Sequence, residues 1–515
     1  MSSEPGPVRP ARWPLIRALR KALVLRGGRP VALGILLWML TITLLSDPPA
    51  ALQPLPRPLQ FLADAAGDTV SASRRMLLDG YQKTLPRQPQ SQPVTVVAID
   101  ENSLATFGQW PWPRTRLAAL VDAIAANGPV AIGLDIYMPE PDQTSPERVA
   151  EWLPPQAAAL AQALRALPSH DGRLAQSLAA APTVLAAAGF DAGFHTTREG
   201  MRVFPIAVRG DEAALPRHVR AWPQVLASLP EFQAAASGQA LVSVDLELGI
   251  VRHVPLVMKI GEQPVPGLAL EMLRVATGGA PIELEFSKGE VRSVAVADLR
   301  VPTMAGAQVP LHYARLESTA GRYVSAKDVL SGQVPREALA GKLVLVGLTG
   351  AGLNDMRTTV LGELVPGIEI QAQVIESLFE GRLLQRPSWL RWAELLTALG
   401  LGLFVIWFIP RRDFAAANFL RRLPKVTLLL TLGTNAVVIG LGYAAFHFMG
   451  ILFDAASFAL VTTAVVGSVV STALVEMDNA QRARERRELQ ALLERAGTPL
   501  SDGPTHELPI RPSRP

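Results

Sequence analysis

Four long runs of this sequence are almost free of charge, and nothing else about the chain restricts its fold as strongly. A helix needs about 20 apolar residues to cross a bilayer core, with about 17 to 25 usual. The runs 426–446 and 455–475 meet that requirement. The run 392–410 also meets it, carrying Glu394 near one end and Trp392 and Trp407 where interfacial aromatics belong. The first run, 31–46, is short and could be read as the apolar core of a cleaved signal peptide. Ser46-Asp47-Pro48-Pro49 is a poor cleavage site, which favours an uncleaved anchor.

Basic residues orient the runs, because Lys and Arg collect on the cytoplasmic side of short loops. Arg9, Arg12, Arg17, Arg20, Lys21, Arg26 and Arg29 precede or open the first run, and Arg411, Arg412, Arg421, Arg422 and Lys425 separate the second from the third. The connection 447–454 has no Lys or Arg, whereas Arg482, Arg484, Arg486 and Arg487 follow the fourth run. Four spans with both termini cytoplasmic are therefore expected. Residues 47–391 would then lie outside, in the periplasm if the membrane is a bacterial inner membrane, with lipid as an obligatory partner.

The composition agrees with a membrane protein: 49% hydrophobic and 18% charged, against about 25% charged in soluble domains. A net charge of +4 over 515 residues gives no reason to expect a nucleic-acid partner. Cysteine is absent, which excludes disulfide scaffolds, thiolate zinc sites, cysteine nucleophiles and iron–sulfur ligation. The histidines show no metal-ligand spacing, and no G-x-S-x-G elbow or acid/base carboxylate pair stands out. No metal, cofactor or catalytic residue is expected, and the chain is not expected to be an enzyme.

The outside region reads as alternating strands and helices. Residues 47–91 should hold a membrane-proximal helix over 61–85 and a linker. Apolar, β-branched residues at 94–99 then end in Asp100, a helix follows at 115–126, and Asn127-Gly128-Pro129 stops it before a second strand at 130–134, ending in Asp135. Further units run from a helix at 173–181 to a strand at 183–187, and from a strand at 343–346 to a helix at 369–380. Shorter runs at 240–315, such as Leu241-Val242-Ser243-Val244, are expected to form antiparallel hairpins. The expected fold class is an α/β extracytoplasmic domain with a mostly parallel sheet, plus an α-helical membrane region. Its parts are a basic tail (1–30), spans at 31–46, 392–410, 426–446 and 455–475, a linker region (47–91), the outside domain (92–391), and a short cytoplasmic helix with a disordered tail (476–515).

Several ordered blocks together resemble the CHASE2 domain family. They are Val96-Val97-Ala98-Ile99-Asp100-Glu101-Asn102-Ser103-Leu104, Gly108-Gln109-Trp110-Pro111-Trp112-Pro113-Arg114 and Gly133-Leu134-Asp135-Ile136. Downstream, Asp245 to Pro255, Pro266-Gly267-Leu268-Ala269-Leu270-Glu271, Gly341-Lys342-Leu343-Val344-Leu345-Val346-Gly347, Gly352-Leu353-Asn354-Asp355 and Pro366-Gly367-Ile368-Glu369-Ile370 continue the likeness, over about 92–387. The resemblance implies an extracytoplasmic sensory domain followed by three membrane spans. Gln371, Gln373 and Val360 depart from the family pattern. Relatives commonly continue into a cyclase or kinase, whereas only some forty residues follow the fourth run here. An output would therefore pass to a separate cytoplasmic effector, a cyclase or kinase in trans. A constitutive envelope scaffold is the competing reading.

Ligands of parallel sheets bind beyond the carboxyl ends of strands, which makes Asp100 and Asp135, on strands expected to be neighbours, candidates for a ligand site. Arg114, a cation at a helix start, needs an acidic partner, for which Asp100 and Asp135 are candidates. Caps and ion-pair locks are the alternative for all three. Ser103, Trp110 and Trp112 flank the same site, the rings serving either as a stacking surface or as a buried plug. Asp355 follows Gly347-x-x-Gly350-x-Gly352, which reads as a tight turn more readily than as a phosphate loop. In the membrane, Asn435 should seek an interhelical partner, and Ala464, Ser468 and Thr472 form a small-residue stripe suited to intramolecular packing or to a homodimer. Leu489, Leu492 and Leu493 form a narrow stripe on a helix at 477–495 that could dock a partner.

Overall fold

Apolar β-branched runs form buried strands only where both of their faces find cover, and the sheet of this protein satisfies that condition. The computed structural model describes residues 29–48, 55–191, 201–210, 219–287, 290–304, 306–353, 355–408 and 426–495. Helices α1 (Arg29–Ser46) and α2 (Arg57–Thr84) precede the sheet, so the expected membrane-proximal helix exists and starts earlier than 61. The strands are β1 (Val94–Ile99), β2 (Ala131–Asp135), β3 (Thr183–Phe190), β4 (Gln224–Leu226), β5 (Gly238–Leu241), β6 (Tyr323–Ser325) and β7 (Leu343–Leu348). They run in the order β6-β1-β7-β2-β3, with β4 and β5 both paired to β3. Every pairing is parallel except that of β3 with β4.

Alternation along each strand divides the core in two. Val94 and Val96 of β1 and Leu343 and Leu345 of β7 face one side, together with α6 (Leu268–Ala276) and α7 (Gly367–Glu380). Val97, Ile99, Val344 and Val346 face the other, with α4 (Arg114–Ala125) and α5 (His170–Ala179). Fully burying each such aliphatic side chain stabilises by about 1.5–3 kcal/mol. The short α3 (Glu101–Phe107) separates β1 from α4.

The order corrects one expectation. β1 and β2 are not neighbours, because β7, far along the chain, lies between them: Ala98 and Asp135 both pair with Gly347. The middle region is also only partly as expected. Val257–Ile260 with Gln263–Pro266, and Ile282–Ser287 with Glu290–Val296, are antiparallel hairpins. Leu241, however, ends β5 in the parallel sheet, and 242–244 lie outside any strand. The domain as a whole is mixed α/β.

Among the described residues, three helical segments are long and apolar enough to cross a membrane: Arg29–Ser46 in α1, Ser388–Trp407 in α8 (Ser388–Phe408), and Thr431–Met449 in α9 (Val426–Met449). The last helix, α10 (Ala455–Arg495), is continuous over 41 residues, and its apolar stretch among the described residues is Ala455–Val469, shorter than a span. The basic residues at 1–28 and 409–425, and the tail 496–515, lie outside the described residues. The chain divides into two compact units, one of Ile42–Leu395 with Val437–Phe458, the other of Met1–Thr41, Leu396–Ala436 and Ala459–Pro515. Within the second, Gly402 lets α8 approach α1, since a Cβ there would lie 2.5 Å from Leu36 Cδ1.

Candidate functional site

The carboxyl ends of β1, β7 and β2 carry most of the residues singled out in the sequence, but in two separate groups. With β7 interposed, the first and second strands are roughly 10 Å apart, two strand spacings. Asp100 is a cap. Its Oδ1 accepts from the Ser103 amide at 2.9 Å, the Ser103 hydroxyl at 2.7 Å and the Ser325 hydroxyl at 2.9 Å. Ser103, fully buried, accepts in turn from the Lys327 amide at 3.0 Å. These two side chains lock α3 to the start of the helix Ala326–Leu330.

Arg114 does not reach Asp100 or Asp135. Its amide donates to Asp142 Oδ2 at 2.7 Å, and its Nε lies 3.7 Å from Asp171 Oδ1. Burial alone would raise the Asp142 carboxyl, but hydrogen bonds from Arg114, Thr144 and His170 outweigh it and hold Asp142 below the usual carboxylate range. Burial raises Asp171. Trp112 is a plug: it is 2% exposed, and its Nε1–H donates to the Gly108 carbonyl at 2.9 Å. Its ring meets Phe107 edge-on at 5.7 Å. Trp110 is half-buried, 6.0 Å from Trp112, and keeps part of its surface open.

Asp135 and Asp355 do come together. Burial, reinforced by the neighbouring Asp355 carboxylate, pushes Asp135 up to about 7, with Arg357 opposing. Burial also raises Asp355, which pairs with Arg357 at 3.2 Å. Tyr137, two residues beyond Asp135, is raised by burial and then by both carboxylates. Asp355 stands at the N-terminus of α7, where the helix dipole favours an anion, and Gly367 makes room for it: a Cβ there would lie 2.6 Å from Asp355 Oδ2. The glycine loop beside them is a turn. The amides of Thr349 and Gly350 both donate to the Ile99 carbonyl at 3.1 Å, and the Ala351 amide donates to Glu101, so none of these amides is left for a phosphate. Asp135 and Asp355 disfavour joint ionisation, and Arg357, paired with Asp355, opposes the rise, so the pair can take up a proton. Among the described residues no group of three or more His, Asp or Glu is placed to hold a metal ion.

Two charged assemblies escaped sequence reasoning. The first is a stripe on α7, where Glu369, Gln373, Glu376 and Glu380 recur at helical spacing on an apolar helix. Glu376 Oε2 accepts from both Arg87 and Arg322 at 2.9 Å, and Arg87 also reaches Glu380 at 3.2 Å. Tyr323 donates to Glu369 at 2.6 Å. Gln373, a departure from the family pattern, clasps the Ala314 backbone through both its oxygen and its nitrogen. Acidic residues at i and i+7 among buried apolar ones were the available signal.

The second assembly is a collar at the ends of the apolar helices. Asp47, just past α1, meets Arg391 at 2.8 Å, Arg386 at 3.6 Å and Arg74 of α2 at 3.8 Å. Arg386 pairs with Glu394 of α8 at 2.8 Å, and Glu394 accepts from the Asp454 amide at 2.7 Å. Asp454 caps α10 through Ser457 and lies 3.7 Å from Arg74. Burial would raise Asp47, but the three arginines outweigh it and hold it low. A charge at each boundary of an apolar run was visible in the sequence; their mutual pairing was not.

In the helical unit, Asn435 finds the interhelical partners expected of it: its Nδ2 donates to Thr463 at 2.8 Å, and the Thr462 hydroxyl donates to its Oδ1 at 2.7 Å. Ser468 bonds its own helix at the Val465 carbonyl, and Ala464 is half-buried. Thr472 belongs to α10, but its side chain lies outside the described residues. Leu489, Leu492 and Leu493 are 61%, 63% and 58% exposed on the same helix.

A family model described as the CHASE2 domain matches residues 58–408. No curated protein and no solved structure matches the chain.

Proposed function

This chain belongs to the CHASE2 domain family, a family of sensory domains, and from that premise we propose that it is a membrane-anchored sensor that passes an extracytoplasmic signal to a separate cytoplasmic effector. The collar carries this reading. Asp47, Arg74, Arg386, Arg391, Glu394 and Asp454 join the end of α1, the long α2, the start of α8 and the start of α10 in one ion-paired assembly, within the same compact unit as the α/β domain. A displacement of the domain therefore has a stiff, charged contact through which to move the helices. The group formed by Asp135, Asp355, Tyr137 and Arg357 is the proposed receiving site, and Asp100, Ser103 and Trp112 hold the loops beside it. In this reading the chain has no catalytic activity of its own. It sits in a bacterial inner membrane with four spans, both termini cytoplasmic and residues 47–391 periplasmic. The exposed Leu489, Leu492 and Leu493 offer the effector a docking stripe.

Crosslinking and mass spectrometry of the full chain in its native membrane, compared with a chain lacking residues 476–515, tests the proposal. Capture of a cyclase or kinase that is lost with the truncation is the expected outcome. Capture of envelope proteins alone, unchanged by the truncation, would replace it with a constitutive scaffold.

A further inference from the structure

Helix α2 touches three of the apolar helices with one side of itself. Gly67, Arg74 and Tyr81 recur every seven residues, a spacing that keeps them on one face of a helix. Each meets a different partner. A Cβ on Gly67 would lie 3.4 Å from the Cα of Ser46, the last residue of α1. Arg74 lies 3.7 Å from Asp454, which caps α10. The Tyr81 hydroxyl donates to the Ile439 carbonyl of α9 at 2.9 Å, and its ring meets Tyr443 edge-on at 5.5 Å and Phe446 at 5.8 Å. Gly442 leaves room for this clasp, since a Cβ there would lie 2.9 Å from the Tyr81 hydroxyl.

Arg75, Asp79 and Gln82, at i, i+4 and i+7, form the neighbouring face, and this face holds the α/β domain. Arg75 lies 3.9 Å from Glu247, both Asp79 oxygens accept from Arg252 at 3.1 and 2.7 Å, and Gln82 accepts from the Tyr313 amide at 3.1 Å. One helix thus has the domain on one face and the ends of apolar helices on the next, and a rigid element packed in this way can carry coupling. Among those helices α9 differs, because none of its residues belongs to the collar. Its later turns, from Val437, fall in the compact unit of the domain. Its earlier turns carry Asn435, bonded to Thr462 and Thr463 of α10, and α10 runs unbroken to Leu489, Leu492 and Leu493.

We propose that α2 is a lever that carries displacements of the domain into α9 through Tyr81, and from α9 into α10 through Asn435. The proposal rests on the sensor reading, but its test needs no effector, so the two fail separately. Because cysteine is absent, pairs of spin labels can be placed without background. Double electron–electron resonance on the full chain in lipid nanodiscs would compare two pairs: Gln143→Cys with Met449→Cys at the end of α9, and Gln143→Cys with Trp389→Cys at the start of α8. Asp79→Asn weakens the domain face of α2 and should broaden the first distance distribution more than the second. On a Tyr81→Phe background it should broaden the first no further, because two changes on one route are not additive. Arg75→Gln takes its place if Asp79→Asn does not fold. An effect of Asp79→Asn that is absent, equal for both pairs, or additive with Tyr81→Phe would overturn the proposal.

Discussion

Asp135 shows what one residue's surroundings can do. Burial raises its folded pKa to about 7, whereas the unfolded chain keeps a value of about 4. The folded state therefore binds this proton more tightly, so folding is favoured most below the unfolded pKa and loses stability as pH rises from about 4 to 7. Asp135→Asn, neutral throughout, removes that slope. Thermal unfolding should show the variant more stable than wild type at pH 8 by about 1–2 kcal/mol, after allowance for solvent screening, with the difference vanishing near pH 4. Equal slopes for the two proteins would show that Asp135 does not hold the proton. The identity of Asp135 as a strand-end acid was legible in the sequence. Its partner was not, because Asp355 lies more than two hundred residues away and reaches it only through the placement of β7.

At the scale of elements, α7 joins the membrane-proximal segment to the sheet. Its apolar face packs on β1 and β7, and its acidic stripe takes Arg87, which follows α2, and Arg322, which precedes β6. Glu376→Ala would leave two buried guanidinium groups without their shared acceptor and should cost about 3–5 kcal/mol, read as a lowered denaturation midpoint. Glu380→Ala removes a partner of Arg87 alone and should cost less. A loss from Glu376→Ala no larger than that from Glu380→Ala would contradict the shared-acceptor geometry. The helix itself is expected over 369–380 from the alternation of strands and helices, and it starts at Gly367. The reason for its glutamates appears only when Arg87 and Arg322 arrive from distant parts of the chain.

For the whole molecule, the orientation of the apolar helices is the quantity to measure. The collar joins the end of α1, the start of α8 and the start of α10, as alternating crossings require, and the connection 447–454 contains no Lys or Arg. Because the chain has no cysteine, each introduced thiol is unique. A membrane-impermeant maleimide should label Gln143→Cys in intact spheroplasts and Gln490→Cys only after lysis. Labelling of Gln490→Cys from outside would reverse or break the proposed four-span topology.

The sequence by itself determined the apolar runs, the β1–α4–β2 order, the turn at Asn127-Gly128-Pro129 and the family blocks, because all of these are local patterns of hydropathy, backbone restriction and spacing. It also contained the cap at Asp100, although that residue was equally readable as a ligand. Tertiary structure alone decided that β7 separates β1 from β2, that Arg114 belongs to Asp142 and Asp171, and that Asp135 belongs with Asp355. It alone assembled the collar and set Tyr81 against α9. Those outcomes depend on which distant segments pack side by side, and a charge can choose its partner only after the hydrophobic core has brought the candidates within reach.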